Sequence, residues 1–198
     1  MRRNRFRELL KNDQPTLGTR ILSSWPTIIE LVGHSGMFDY VEFSGEYAPY
    51  DHATLENMGR AIELFDHLSG MIKIEQESRA HAAVRAIGAG FQSVLFADPR
   101  SVTEVEQCVR SVRTERPRSG GLHGVNMHRA ALLEGGSEAW ADAMDKAFAS
   151  HERATGGPGV LRIEAELVRI APGRPSATTI GGELQPVGST QDVVEISA

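Results

Sequence analysis

Short apolar runs alternate with amphipathic stretches along most of this chain, a rhythm that predicts repeated βα units. Leu17-Gly18-Thr19-Arg20-Ile21-Leu22 reads as a first strand, and Pro26 to Val32 as a short helix with proline in its first turn. Tyr40 to Phe43 is expected as a second strand, followed by a helix from Asp51 to His67 whose Leu55, Met58, Ile62 and Phe65 share one face. Met71 to Ile74 reads as the third strand, and Ser78 to Ile87 as a helix capped by Ser78 and closed by Gly88. Phe91 to Ala97 is the clearest strand. Ser101 then opens a helix to Val112, and Glu104 completes a capping box.

Beyond Pro117 the rhythm weakens. Leu122 to Val125 is expected as a fifth strand, Ser137 to Arg153 as an amphipathic helix, and Val160 to Glu164 as a sixth strand ending in an acid. Past Pro172 the composition turns to Gly, Pro, Ser and Thr. Asp192 to Ile196 there reads either as an edge strand or as part of a disordered tail. The expected division is a barrel-like domain over 1–170 and an irregular tail over 171–198.

Composition narrows the function classes. At 198 residues the chain is short for a full eight-unit barrel, which typically takes about 250. A net charge of −5 and a pI near 5.8 argue against nucleic acid as a partner. No run approaches membrane-spanning length, and Arg2, Arg3, Arg5 and Arg7 lead into Glu8-Leu9-Leu10, unlike a targeting segment. The single Cys108 can form no internal disulfide, which fits a cytoplasmic protein, and its valine neighbours suggest a small buried thiol.

Common catalytic signatures are missing. There is no G-x-G-x-x-G opening a helix, no Walker-type lysine loop and no H-E-x-x-H. Gly88-Ala89-Gly90 falls on the wrong side of a strand for phosphate and reads as a helix C-cap. His123 and His128, the closest histidine pair, are read as solvated or hydrogen-bonded side chains. Ser35 lacks the glycine spacing of a nucleophile elbow.

The stretch Asp39-Tyr40-Val41-Glu42-Phe43-Ser44-Gly45-Glu46-Tyr47-Ala48-Pro49 is the most informative: a buried strand that stops at Gly45 and presents an acid and a phenol. Strand C-terminal ends are where α/β barrels carry their chemistry. Its order with Leu17-Gly18-Thr19, Met71-Ile72-Lys73-Ile74 and Ala86 to Phe96 resembles the HpcH/HpaI aldolase family of class II pyruvate aldolases, over about Phe6 to Glu164. The resemblance implies a (β/α) TIM-type barrel, here incomplete at about six βα units with an irregular tail. It also implies a divalent metal (Mg, Mn or Co) and a small 2-oxo acid as substrate. Glu164 matches the family's metal-binding glutamate, and Asp192 is the candidate second ligand. Glu46 matches the acid supporting metal-bound water, Tyr47 stands where the family has histidine, and Lys73 stands in for the arginine that grips the keto acid. Ser44 replaces an aspartate that partners the histidine and is a candidate substrate contact. A phenol is a weak base near neutral pH, and lysine lacks the two-pronged fork of arginine.

The expected function is a metal-dependent carbon–carbon lyase, or related enolate chemistry on a 2-oxo acid. The alternative is a degenerate, non-catalytic barrel that binds a small acid or a partner protein. Assembly as a homo-oligomer is expected, since another subunit could complete the barrel.

Overall fold

The computed structural model describes residues 2–124, 128–155 and 194–197. Its elements run α1 (Arg5–Lys11), β1 (Gly18–Ile21), α2 (Pro26–His34), β2 (Tyr40–Ser44), α3 (His52–Glu63), β3 (Ser69–Ile74), α4 (Arg79–Ala89), β4 (Ser93–Phe96), α5 (Val102–Val112), α6 (Arg129–Leu133), α7 (Ser137–Thr155) and β5 (Val194–Ser197). The strands form one sheet in the order β1-β2-β3-β4-β5. β1 to β4 are parallel, as successive barrel strands are, and β5 pairs antiparallel with β4. The fold is thus a mixed α/β arrangement whose four parallel strands are arranged as in part of a barrel. Four of the expected βα units lie within the described residues.

Strand alternation separates two environments. Val41, Phe43, Ile72, Ile74, Val94 and Phe96 pack against the helices in the main core, with Leu55, Met58 and Ile62 of α3 and Val105, Val109 and Val112 of α5. The opposite face, which lines the interior in a closed barrel, carries Tyr40, Glu42 and Ser44 on β2 and Met71 and Lys73 on β3. At its lower end Phe6 and Leu10 of α1 pack with Tyr40, Met71 and Leu95. The Phe6 and Tyr40 rings stand 4.6 Å apart.

Helix α1 was not expected. Its charged lead, Arg2-Arg3-Asn4-Arg5, conceals a cap: the Asn4 side chain accepts from Arg7 N at 3.1 Å and donates to Gln92 O at 3.1 Å. Arg2 donates to the carbonyls of Phe65 and Leu68, the latter at 2.8 Å. Gly18 belongs to the same contact. A Cβ there would lie 2.1 Å from the Tyr40 ring, so only glycine lets β1 approach.

Several boundaries differ from expectation. α3 ends at Glu63 instead of His67, and α4 runs through Gly88 to Ala89. Gly90, at φ 121°, forms the α4 C-cap in place of Gly88, because only glycine takes that angle freely. Ser78 sits at the N-cap of α4 in a left-handed conformation, and its side chain makes no capping bond. The capping box on α5 is displaced: Ser101 Oγ accepts from Glu104 N at 3.2 Å, but Glu104 reaches back to Arg100 N, at 2.9 Å.

The expected fifth strand at Leu122–Val125 is corrected. Thr114 and His123 form only an isolated parallel bridge. The segment lies tight against the end of α5, where a Cβ on Gly121 would meet Arg113 O at 2.0 Å, and Val125 lies outside the described residues. The short helix α6 was likewise not expected. The sixth strand at 160–164 and the boundary near residue 170 lie outside the described residues. Of the two readings of the C-terminus, the edge strand holds for Val194–Ser197.

Candidate functional site

β2 ends at Ser44, and the chain turns at once. Tyr47 N and Ala48 N both donate to Ser44 O, at 3.1 and 3.0 Å. Glu46 N donates to Lys73 O at 3.1 Å, which ties this turn to the end of β3. Gly45 allows the approach, since a Cβ there would lie 2.9 Å from the Tyr50 ring and 3.1 Å from Lys73 O.

The turn brings three of the expected site residues together. Glu46 Oε2 lies 2.5 Å from Lys73 Nζ, with both side chains largely buried. Lys73 Nζ also stands over the Tyr47 ring, 5.0 Å from its centroid, while Tyr47 itself remains exposed. Burial pushes the Lys73 ammonium toward the neutral form. Its bond to Glu46, and the charges of Glu46 and Tyr47, outweigh that and hold its pKa above the ordinary lysine value. The ammonium therefore stays charged, with a carboxylate already at its side.

Below this cluster lies a second polar group that the strand pattern concealed. Glu42, only 2% exposed, accepts at one oxygen from Ser44 Oγ and from Arg20 Nε, each at 3.0 Å. Ser44 is fully buried, so its hydroxyl serves Glu42 directly. Strand register sets the layout: Arg20, Glu42 and Met71 share one row, and Ser44 and Lys73 form the next row toward the C-terminal ends. The period-2 alternation Tyr40, Glu42, Ser44 was the available signal. Within Tyr-Val-Glu-Phe-Ser, however, the acid reads as an interruption of a buried strand.

Among the described residues, no group of three or more His, Cys, Asp or Glu side chains could hold a metal ion. Glu46 faces Lys73, and Glu42 is held by Ser44 and Arg20. The described residues by themselves do not make a donor set for a divalent metal. Glu164 and Asp192, the expected ligands, lie outside them.

Of the expected solvated or hydrogen-bonded pair His123 and His128, His123 is not solvated, and His128 is half-buried. Their rings are 5.3 Å apart and pack around Trp140, with His123 wholly buried. Burial first, and then neighbouring His128, lowers the His123 pKa to about 4. Cys108 is buried as expected, and burial raises its thiol pKa despite the Arg79 contact at 3.4 Å.

No protein-family model matches the chain, and no curated protein matches it. Solved structures do. One is an HpcH/HpaI aldolase/citrate lyase family protein from Burkholderia cenocepacia J2315, at 26% identity and TM-score 0.62, covering 73% of this chain and 56% of that one. The citrate synthase SbnG follows at 21% identity and TM-score 0.57, covering 73% and 52%. The HpcH/HpaI aldolase from Desulfitobacterium hafniense DCB-2 gives 22% identity and TM-score 0.55, covering 71% and 51%. The first of these matches carries a resemblance to the HpcH/HpaI aldolase/citrate lyase family, and the other two, under 25% identical, support the fold. The likeness is at low identity, and the chain spans about half the length of the structures it matches. No helix among the described residues is long and apolar enough to cross a membrane.

Proposed function

We propose that this chain is a carbon–carbon lyase of the aldolase type, or performs the related enolate chemistry, on a small 2-oxo acid. The supporting observation is the Glu46–Lys73–Tyr47 cluster, which sits where the parallel strands of this barrel type end and carry their chemistry. Lys73 supplies positive charge to the acid and to the enolate oxygen that develops from its keto group. Tyr47, exposed at the rim, donates a hydrogen bond or proton to the same oxygen. Glu46 holds Lys73 in place and orients water beside it. A divalent metal (Mg, Mn or Co) belongs to this proposal, with Glu164 and Asp192 as its candidate ligands, and would supply Lewis-acid stabilisation of the enolate. Assembly as a homo-oligomer belongs to it as well.

The test is proton NMR of pyruvate in deuterated buffer, with and without magnesium, manganese or cobalt. Loss of the methyl signal requires only enolisation, and Lys73→Met should slow it about 100-fold or more. If no metal supports exchange, the lyase reading falls. The second reading, a non-catalytic barrel that binds a small acid or a partner protein, would then take its place. It is favoured by the ion pair between Lys73 and Glu46, which leaves little of the lysine charge free.

A further inference from the structure

We infer that Arg20 is the carboxylate anchor of this site, held in position by Glu42 and Ser44; this rests on the 2-oxo acid reading above. Two cations stand on the inner face of the sheet, and their surroundings differ. Lys73 lies against Glu46 and over the Tyr47 ring, with its side chain 15% exposed. Arg20 offers only its Nε to Glu42, and its side chain is 48% exposed. Its two terminal nitrogens have no partner among the described residues. They form the planar fork that matches a carboxylate with two parallel hydrogen bonds, the geometry that lysine at position 73 cannot provide.

Glu42 has no other evident task. A buried carboxylate is costly to keep unless it is paired, and this one is paired with a guanidinium whose far edge faces solvent. Ser44 donates to the same Glu42 oxygen, so the acid has little freedom to rotate. Glu42 thereby fixes the plane and direction of the Arg20 fork. Arg20 lies two strands from Lys73, about 10 Å across the sheet, and one row lower, about 7 Å along it. That offset suits one small acid with its carboxylate on Arg20 and its keto carbon nearer Lys73 and Tyr47. It divides the work: Arg20 binds, and the Lys73–Glu46 pair manages charge and protons at the reacting carbon. The ligand class is a 2-oxo monocarboxylate or the oxo-acid end of a longer chain.

The experiment uses pyruvate as probe and reads two quantities on the same samples. Binding is followed by saturation-transfer NMR, and enolisation by methyl exchange with metal present. Arg20→Lys should weaken pyruvate binding about tenfold and Arg20→Gln further, with both proteins still folded because each can donate to Glu42. Glu42→Gln, a positioning variant, should raise the pyruvate concentration needed for half-maximal exchange while leaving the saturating rate close to wild type. A purely structural Glu42 would instead lower the melting temperature and leave that concentration unchanged. Lys73→Met should slow exchange about 100-fold or more while retaining most of the binding. Wild-type affinity in folded Arg20→Gln overturns the anchor, as does a wild-type protein that binds no pyruvate. Arg20-dependent binding without any exchange keeps the anchor and removes the lyase reading.

Discussion

Burial of His123 against Trp140 and beside His128 lowers its pKa from 6.5 to about 4, so the folded chain refuses a proton that the unfolded chain accepts. The stabilisation is full above about pH 6.5 and is lost as the pH falls from there toward 4, on the order of 3 kcal/mol. A melting series from pH 7.5 to 4.5 should show a steep decline in the wild type and a flatter one in His123→Phe. Equal slopes would mean that other groups carry the acid sensitivity. At Gly18 the prediction is steric. Gly18→Ala drives a methyl into the Tyr40 ring and should cost about 1–3 kcal/mol in a denaturant titration. That Glu46, Tyr47 and Lys73 lie at strand ends could be read from the sequence, because the apolar runs and the turn residues beside them are local signals. Arg20 and Glu42 could not, since their pairing joins residues 22 apart and depends on the register of two strands.

Helix α1 closes the lower end of the inner sheet face, and its seven residues depend on tertiary contacts more than on local propensity. Asn4→Ala removes both the cap and the link to Gln92, so it should lower stability by at least about 1 kcal/mol. Phe6→Ala empties the contact with Tyr40 and Met71 and should cost about 3–5 kcal/mol, measured by urea unfolding. A loss below 1 kcal/mol in Phe6→Ala would show that α1 is not docked in solution. The helices that the sequence revealed, α3 and α5 among them, carry a full apolar face over three turns. α1 and α6 are too short to show a period. Their anchoring polar bonds, Asn4 to Gln92 and Arg129 to Glu63, reach across long stretches of chain.

At the scale of the molecule, four parallel strands reproduce part of a barrel, and an antiparallel strand covers the edge that the next parallel strand would occupy. That pairing satisfies backbone groups of β4 that would otherwise offer a template for another chain. Deleting residues 194–198 should therefore increase self-association, read as a higher mass or loss of recovery by size exclusion with light scattering. An unchanged mass and recovery would argue that β4 is protected in another way. The sequence by itself determined the βα rhythm, the strand cores and the position of the acid-phenol turn, because hydrophobic period and turn residues are local properties. Only the tertiary structure decided that Lys73 meets Glu46, that Glu42 orients Arg20, and that the C-terminal strand runs antiparallel. Each of these depends on register and direction between segments distant in the chain, and no local pattern encodes them.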